Sequence, residues 1–207
     1  EFTRDPGFLH QYYLLREQMF VNVWGLDRVQ VEKDQYDDMS HVLIVRKGNQ
    51  VVAGARLTVS SPRHPMLLPM EGDDFDLKET FPDLNLEQKR YGSISRMIVM
   101  PKVSKEEDIT LGIIQHLRRK SQALGLDYWF AVSPRVTARI YCQRCWKLGI
   151  PYELPKIEIQ ERDEYDGIKM CLQKYTLSGV ARATARNVEA QGTHVDSVKE
   201  LEDATIQ

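Results

Sequence analysis

The chain has 207 residues, with 28 Lys and Arg against 30 Asp and Glu and a formal net charge of −2. That length suits one domain of ordinary to large size, with room for a sheet and several helices, and the near balance of charge excludes a polyanion binder, nucleic acid included. No apolar run approaches the roughly 20 residues that span a bilayer, and three cysteines, an odd number, fit a reducing cytoplasm rather than a disulfide framework.

The polar opening Glu1-Phe2-Thr3-Arg4-Asp5-Pro6 carries no apolar signal core, so a cytoplasmic protein is expected. Leu9, Tyr12, Tyr13, Arg16, Phe20 and Val23 recur at helical spacing and predict an amphipathic helix over 9–23. Trp24 and Gly25 end it. Arg16 falls on the apolar stripe between Tyr12 and Phe20, where a guanidinium must snorkel out or meet a partner. A polar loop of about fifteen residues follows and contains Asp34-Gln35-Tyr36-Asp37-Asp38; loops of that length are often functional. Residues 41–46 and 51–59 then read as two strands joined by the turn Lys47-Gly48-Asn49-Gln50. In the second strand Val51, Ala53, Ala55, Leu57 and Val59 share one face, and Val52, Gly54, Arg56 and Thr58 share the other.

A proline-rich connection over 61–71 leads to a short helix over 74–82. A third strand, 93–100, is stopped by Pro101. Ser104 and Glu107 have the spacing of a capping box for a helix that runs to Leu124, with Ile109, Ile113, Leu117 and Leu124 on its core side. Gly125 closes it. A buried strand over 127–132, a helix over 135–148 closed by Gly149, and strands over 152–159 and 170–177 complete the order. Cys142-Gln143-Arg144-Cys145 is nominally a C-x-x-C pair, but it lies in a helix with no second pair at zinc spacing, so no metal is expected. The mixture of an antiparallel hairpin with later strand–helix–strand crossovers predicts an α+β sheet with helices on both faces. One domain is expected over 1–178. Residues 179–207 are rich in Ala, Glu and Thr and read as a tail or peripheral helix, the segment that would meet a second copy in a weak homodimer.

Three charges sit in this apolar framework: Arg16 on the helix stripe, and Arg56 and Arg96 inside strands. Guanidinium groups there are costly unless carboxylates or a ligand satisfy them. The acidic run lies between the first two arginines in the chain. Two readings follow, a polar binding site held together by these charges and a purely structural ion-pair network.

The order of elements resembles the GNAT superfamily of N-acyltransferases, whose three-layer α/β/α sandwich has a mixed sheet that opens into a V at a splayed strand pair. Within it, Leu15-Arg16-x-x-x-Phe20, Trp24, Asp34-x-x-Asp37, Ala55-Arg56-Leu57 and Ser95-Arg96 resemble the acyl-homoserine lactone synthases in the same sequence order, over about residues 12–100. Two departures matter. That family has a glutamate two positions before its Ser-Arg pair, where S-adenosylmethionine's amine is handled, and this chain has Ser93, which cannot act as a carboxylate base. Trp24 also lies closer to the helix than in the family. The pattern is therefore similar to the long-chain N-acyl amino acid synthases of the N-acyl-tyrosine type. CoA-dependent members of the superfamily cradle pyrophosphate with a glycine-rich turn at a helix N-terminus. The corresponding segment here, Pro101 to Gly112, has a single glycine and three acids, Glu106, Glu107 and Asp108, which disfavours CoA and favours an acyl carrier protein as donor.

The resemblance implies N-acylation of a free amino acid, with no cofactor beyond the phosphopantetheine thioester of the donor. It places Ser95 and Arg96 on the strand whose bulge supplies main-chain oxyanion donors. Candidates for the base are Glu32, Asp34 and His41, and Asp34 and Asp37 alternatively pair with Arg16, Arg56 or Arg96. Phe20, Trp24 and Ser93 complete the acceptor pocket, with Arg56 or Arg96 on the acceptor carboxylate. Met97, Met100, Trp129, Phe130, Ile140, Tyr141, Trp146 and Ile150 are candidates for the acyl tunnel or for plain core. Arg118, Arg119 and Lys120, and Arg135, Arg139, Arg144 and Lys147, are candidates to dock an acidic carrier protein. The competing functions are a lactone synthase using S-adenosylmethionine, a CoA-dependent N-acetyltransferase, and a non-catalytic carrier- or lipid-binding module.

Overall fold

The computed structural model describes residues 1–26, 32–72, 75–101, 103, 108–157, 159 and 168–178. A short strand, β1 (Phe2–Thr3), precedes helix α1 (Pro6–Glu17), which starts three residues earlier than its apolar spacing suggests. The reason is a cap: the Asp5 carboxylate accepts the Phe8 N–H at 2.9 Å, and Pro6 occupies the first turn, where no N–H is needed. The expected helix does not continue as α. Residues Gln18–Val23 form a π-helical segment, so the side chains beyond Arg16 rotate away from the strict 3.6-residue stripe.

Strands β2 (His41–Lys47), β3 (Gln50–Ser60), β4 (Tyr91–Val99), β5 (Tyr128–Pro134), β6 (Tyr152–Glu153) and β7 (Met170–Thr176) join β1 in one seven-stranded sheet of order β1-β2-β3-β4-β5-β7-β6. All neighbours are antiparallel except β4 and β5. That parallel pair meets at three positions, Tyr91 with Tyr128, Gly92 with Trp129 and Ser93 with Phe130, and then separates. The V-splayed sheet is thus present, and the fold is the expected α+β sandwich.

Helices α3 (Ile109–Leu124) and α4 (Arg135–Lys147) cover one face, where Leu43, Ala53, Ala55, Leu57, Trp129 and Tyr175 pack with Ile113, Ile114 and Leu117. On the other face α1 packs Tyr12, Leu15 and Met19 on Val42, Ile44 and Ile98. The connection around Leu68 and helix α2 (Leu77–Thr80) packs on Tyr91, Phe130 and Leu172. The alternation read for the second strand fails at one residue. A register shift at Val45/Arg46 turns Val51 to the α1 side, away from Ala53. The expected helix over 74–82 is one turn of α2 followed by 3-10 turns at Pro82–Leu84 and Leu86–Gln88. Residues 154–157 are not strand, so the expected strand over 152–159 is two residues long. The N-cap of α3 is Asp108, whose carboxylate accepts the Leu111 N–H at 3.1 Å; Ser104 and Glu107 lie outside the described residues, as do residues 179–207. Cys142 and Cys145 are core residues beneath α4, with burial pushing both thiols up, so they stay protonated.

The connection before α2 is closed by a buried acid. Glu71 accepts the Leu68 N–H at 2.7 Å and the Leu77 N–H at 3.1 Å, and burial raises its carboxyl despite those two donors. Glu71→Ala leaves both N–H groups without their acceptor inside the fold, and a loss of about 2–3 kcal/mol is expected in urea unfolding. A loss below about 0.5 kcal/mol would show that the connection relaxes to water.

Candidate active site

The opening between β4 and β5 holds a cavity of about 850 Å³. Its walls come from several elements. The edge of β4 gives Ile94, Ser95, Arg96 and Met97, and β5 gives Ala131, Val132, Ser133 and Pro134. Helix α4 adds Thr137 and Tyr141, and the π segment with its exit adds Phe20, Trp24 and Leu26. The acidic loop closes one end with Asp34, Gln35 and Tyr36 beside Arg56. A continuous α-helix would place Phe20 and Trp24 differently; the π turn stacks them edge to face at 4.9 Å on the cavity rim.

The β4 edge is broken by a bulge. In the pairing with β3, Gly54 faces Ile98 and Arg56 faces Ser95, so β4 carries one more residue than β3 over that stretch. Arg96 absorbs the irregularity with φ +52°, the left-handed region. The Tyr12 hydroxyl donates to the Arg96 carbonyl at 2.8 Å, and the Arg96 guanidinium lies 5.6 Å from the centre of the Phe20 ring.

The three arginines and the acidic loop meet at the closed end. Asp37 is fully buried on its side chain. Its Oδ2 accepts Arg16 Nη1 at 2.8 Å and the Asp34 N–H at 2.9 Å, and its Oδ1 accepts Arg56 Nη1 at 3.1 Å. The three-residue spacing of the two aspartates has its cause here, because Asp37 caps the backbone of Asp34. Asp34 Oδ1 accepts Arg56 Nη1 at 2.5 Å and the Tyr36 N–H at 2.9 Å, while Arg16 and Arg96 each approach its Oδ2 at 3.7 Å. Burial works to raise the Asp34 carboxyl. The Arg56 hydrogen bond and charge, the Tyr36 N–H and Arg16 outweigh that and hold it below the usual carboxylate range. Asp34 is therefore an ion-pair partner and a poor proton acceptor.

Arg56 is engaged through Nη1 with both aspartates and through Nε, which donates to Ser95 Oγ at 3.0 Å. Arg16 is fully buried behind the cavity wall, donating also to the Glu32 carbonyl at 3.0 Å. Arg96 differs from both. Its side chain is 12% exposed, it lines the cavity, and its ion-pair contact, to Asp34, is a long one.

Several expected site residues sit elsewhere. Glu32 contributes its carbonyl to Arg16, and its exposed side chain is not part of the cavity wall. His41 belongs to the opposite face of the sheet, edge to face with Phe2, because strand alternation separates it from Arg56. Ser93 is buried, with no hydrogen-bond partner for its Oγ among the described residues, and lies outside the cavity wall. Trp129 is core, donating to Ser121 Oγ at 2.7 Å, and Phe130 packs on Tyr91 and Phe81. Trp146 is 62% exposed and Ile140 is exposed, both on the outer side of α4, while Ile150 is in the core and Met100 packs beside the α1 cluster. Of the tunnel candidates, Met97 and Tyr141 reach the cavity, and burial pushes the Tyr141 hydroxyl up to about 12. Tyr36 and residues 131–134 were not singled out as site residues. An aromatic residue between the two aspartates was the available signal for the first; for the second, only a strand end facing a splay could tell.

The basic candidates divide similarly. Arg118 donates to the Leu148 carbonyl, Lys120 lies over the Phe2 ring, and Arg144 pairs with Asp108 at 3.3 Å. Arg119, Arg135, Arg139 and Lys147 are exposed. Arg135 and Arg139 stand on α4 close to Pro134 and Thr137 of the cavity wall.

A mixed sheet splayed at one parallel pair, with a bulged strand beside the opening and helices on both faces, is the GNAT fold. Residues 15–112 match the acetyltransferase (GNAT) domain family. Among solved structures, the acyl-homoserine lactone synthase LasI superposes with a TM-score of 0.55 at 21% identity, over 86% of this chain and 87% of that one. FeeM, an N-acyl amino acid synthase from uncultured soil microbes, gives 0.56 at 8% identity, over 87% and 91%. An acyl-CoA N-acyltransferase from Pseudomonas aeruginosa gives 0.55 at 15% identity, over 84% and 98%. No curated protein matches the chain in sequence. No helix among the described residues is long and apolar enough to cross a membrane, and no three His, Cys, Asp or Glu side chains there are grouped to hold a metal ion.

Proposed function

We propose that this protein is an N-acyltransferase that moves a long-chain fatty acyl group from an acyl carrier protein to the α-amine of an amino acid with an aromatic side chain. The observation that carries the reading is the cavity itself: a volume of about 850 Å³ between splayed strands, mostly apolar along β5 and α4 and ending at Arg96 and Arg56. An acetyl group needs a small fraction of that space, whereas an extended acyl chain and an acceptor side by side fill a pocket of this class.

The acceptor carboxylate meets Arg96, the cavity-lining arginine of the cluster whose own carboxylate contact is a long one, to Asp34 at 3.7 Å. Phe20, Trp24 and Tyr36 surround that end of the cavity and suit an aromatic acceptor side chain. The thioester carbonyl lies at the β4 bulge, whose main-chain N–H groups are the oxyanion donors. The neutral amine nitrogen attacks the carbonyl carbon. The C–N bond forms, the C–S bond breaks, the nitrogen releases a proton to water, and the pantetheine thiolate takes one up. No described carboxylate or histidine at this site is suited to act as the base, so binding and alignment carry the rate enhancement. Exposed Arg135 and Arg139, on the same helix as Thr137 of the cavity wall, fit an acidic carrier protein, and Arg119 and Lys147 are exposed as well.

The test incubates the purified chain with a palmitoyl carrier protein, palmitoyl-CoA or acetyl-CoA, each with tyrosine, phenylalanine or S-adenosylmethionine, and reads products by mass spectrometry. N-palmitoyl amino acid from the carrier thioester supports the reading. Acyl-homoserine lactone shows a lactone synthase, acetylated product alone shows a CoA-dependent acetyltransferase, and no product from folded protein shows a binding module.

A further inference from the structure

We propose that Tyr12 is a positioning residue: its hydroxyl clamps the β4 bulge and so aims Arg96 and the adjoining main-chain N–H groups into the cavity. The catalytic consequence rests on the acyltransferase reading above. The clamp itself stands on three separate features of the fold. The first is the hydrogen bond from the Tyr12 hydroxyl to the Arg96 carbonyl at 2.8 Å, which joins α1 to β4 across 84 positions of sequence. A fully buried tyrosine needs a partner for its hydroxyl, and this carbonyl belongs to the residue with the irregular backbone.

The second is Arg96's own conformation. A non-glycine residue at φ +52° persists only where its surroundings over-determine it. The surroundings here are Tyr12 below the backbone, Phe20 against the guanidinium, and Asp34 at 3.7 Å. The third is the socket. A Cβ added to Gly54 would meet Tyr12 Cδ2 and Cε2 at 2.7 Å, so the glycine in the middle of β3 makes room for this ring next to the Ile98 pairing where the register slips. Phenylalanine would fill the same volume and make the same packing against Val42, Ile44 and Ile98. Only the link to the bulge requires the hydroxyl, and burial keeps that hydroxyl protonated as a donor.

Tyr12→Phe removes the link and keeps the ring. Amide hydrogen exchange read by NMR should accelerate about tenfold at Arg96, Met97 and Ile98 and stay unchanged at Val42, Leu43 and Ile44. In acyl transfer, kcat/KM for the amino acid should fall about tenfold while KM for the acyl donor stays within about twofold. Unchanged exchange at the bulge overturns the clamp. Faster exchange throughout the sheet also overturns it, because the hydroxyl then serves general stability. Locally faster exchange with unchanged acceptor kinetics overturns the positioning role. If the wild-type chain transfers no acyl group, the acyltransferase reading falls and the exchange comparison alone decides the clamp.

Discussion

Arg56→Met is expected to lower unfolding free energy by about 3–5 kcal/mol, read from urea midpoints at neutral pH. Arg56 is 1% exposed and serves three acceptors at once, Ser95 through Nε and both aspartates through Nη1. Methionine keeps an unbranched stem but removes the close donors, leaving the buried Asp34 carboxylate with Arg16 and Arg96 only at 3.7 Å and Asp37 Oδ1 without its Arg56 contact. Lysine does not restore the site, because a single ammonium cannot face Ser95 and the carboxylates in the same fork. Combining Arg56→Met with Asp34→Asn should recover part of the loss by removing the stranded charge. The folded Asp34 carboxyl lies below its usual range, so its stabilising contribution is complete above about pH 4 and is lost as pH falls through the depressed value. Asp34→Asn should therefore be less stable than wild type at neutral pH and should flatten the acid limb of the stability curve. A loss under about 1 kcal/mol for Arg56→Met would mean the cluster is far better hydrated than its burial indicates.

Arg96→Ala separates binding from folding. Its side chain reaches solvent and has one long ion-pair contact, so a stability change within about 1 kcal/mol is expected. The acceptor reaction should suffer much more. Losing a charge-assisted contact worth about 2–3 kcal/mol lowers kcat/KM for an amino acid by roughly 30- to 150-fold. The informative comparison is tyrosine against tyramine, which differ only in the carboxylate. Wild type should prefer tyrosine, and Arg96→Ala should lose that preference while handling tyramine much as before. A variant that keeps the preference would move the carboxylate contact to another group, with Arg56 the next candidate.

Much of this arrangement is legible from residue type and spacing. Arginine at 16, in the apolar stripe of an amphipathic helix, has to find a buried partner, and the aspartates three apart between two such arginines supply it. The hairpin over 41–59 and the long helix ending at Gly125 follow from alternation, turn residues and 3.6-residue periodicity. Other features are invisible in one dimension. The π turn at Gln18–Val23 carries no distinguishing residue types, since Phe20 and Val23 suit an α-helix equally well. Trp129 and Phe130 are as apolar as tunnel residues should be. What removes them from the cavity is that β4 and β5 still pair at those positions and separate only beyond them.

The sequence alone determined which charges had to be compensated inside the fold and where the longer strands and helices would form, because burial cost and backbone periodicity are properties of residue types in order. The tertiary structure decided where the sheet opens, which arginine faces the cavity with only a long carboxylate contact, and which hydroxyl reaches the bulge. Those depend on register and on contacts between residues far apart in the chain. A single added residue in β4 turns Arg96 toward the cavity, while Arg16 and Arg56 are left to hold the acidic loop beside it.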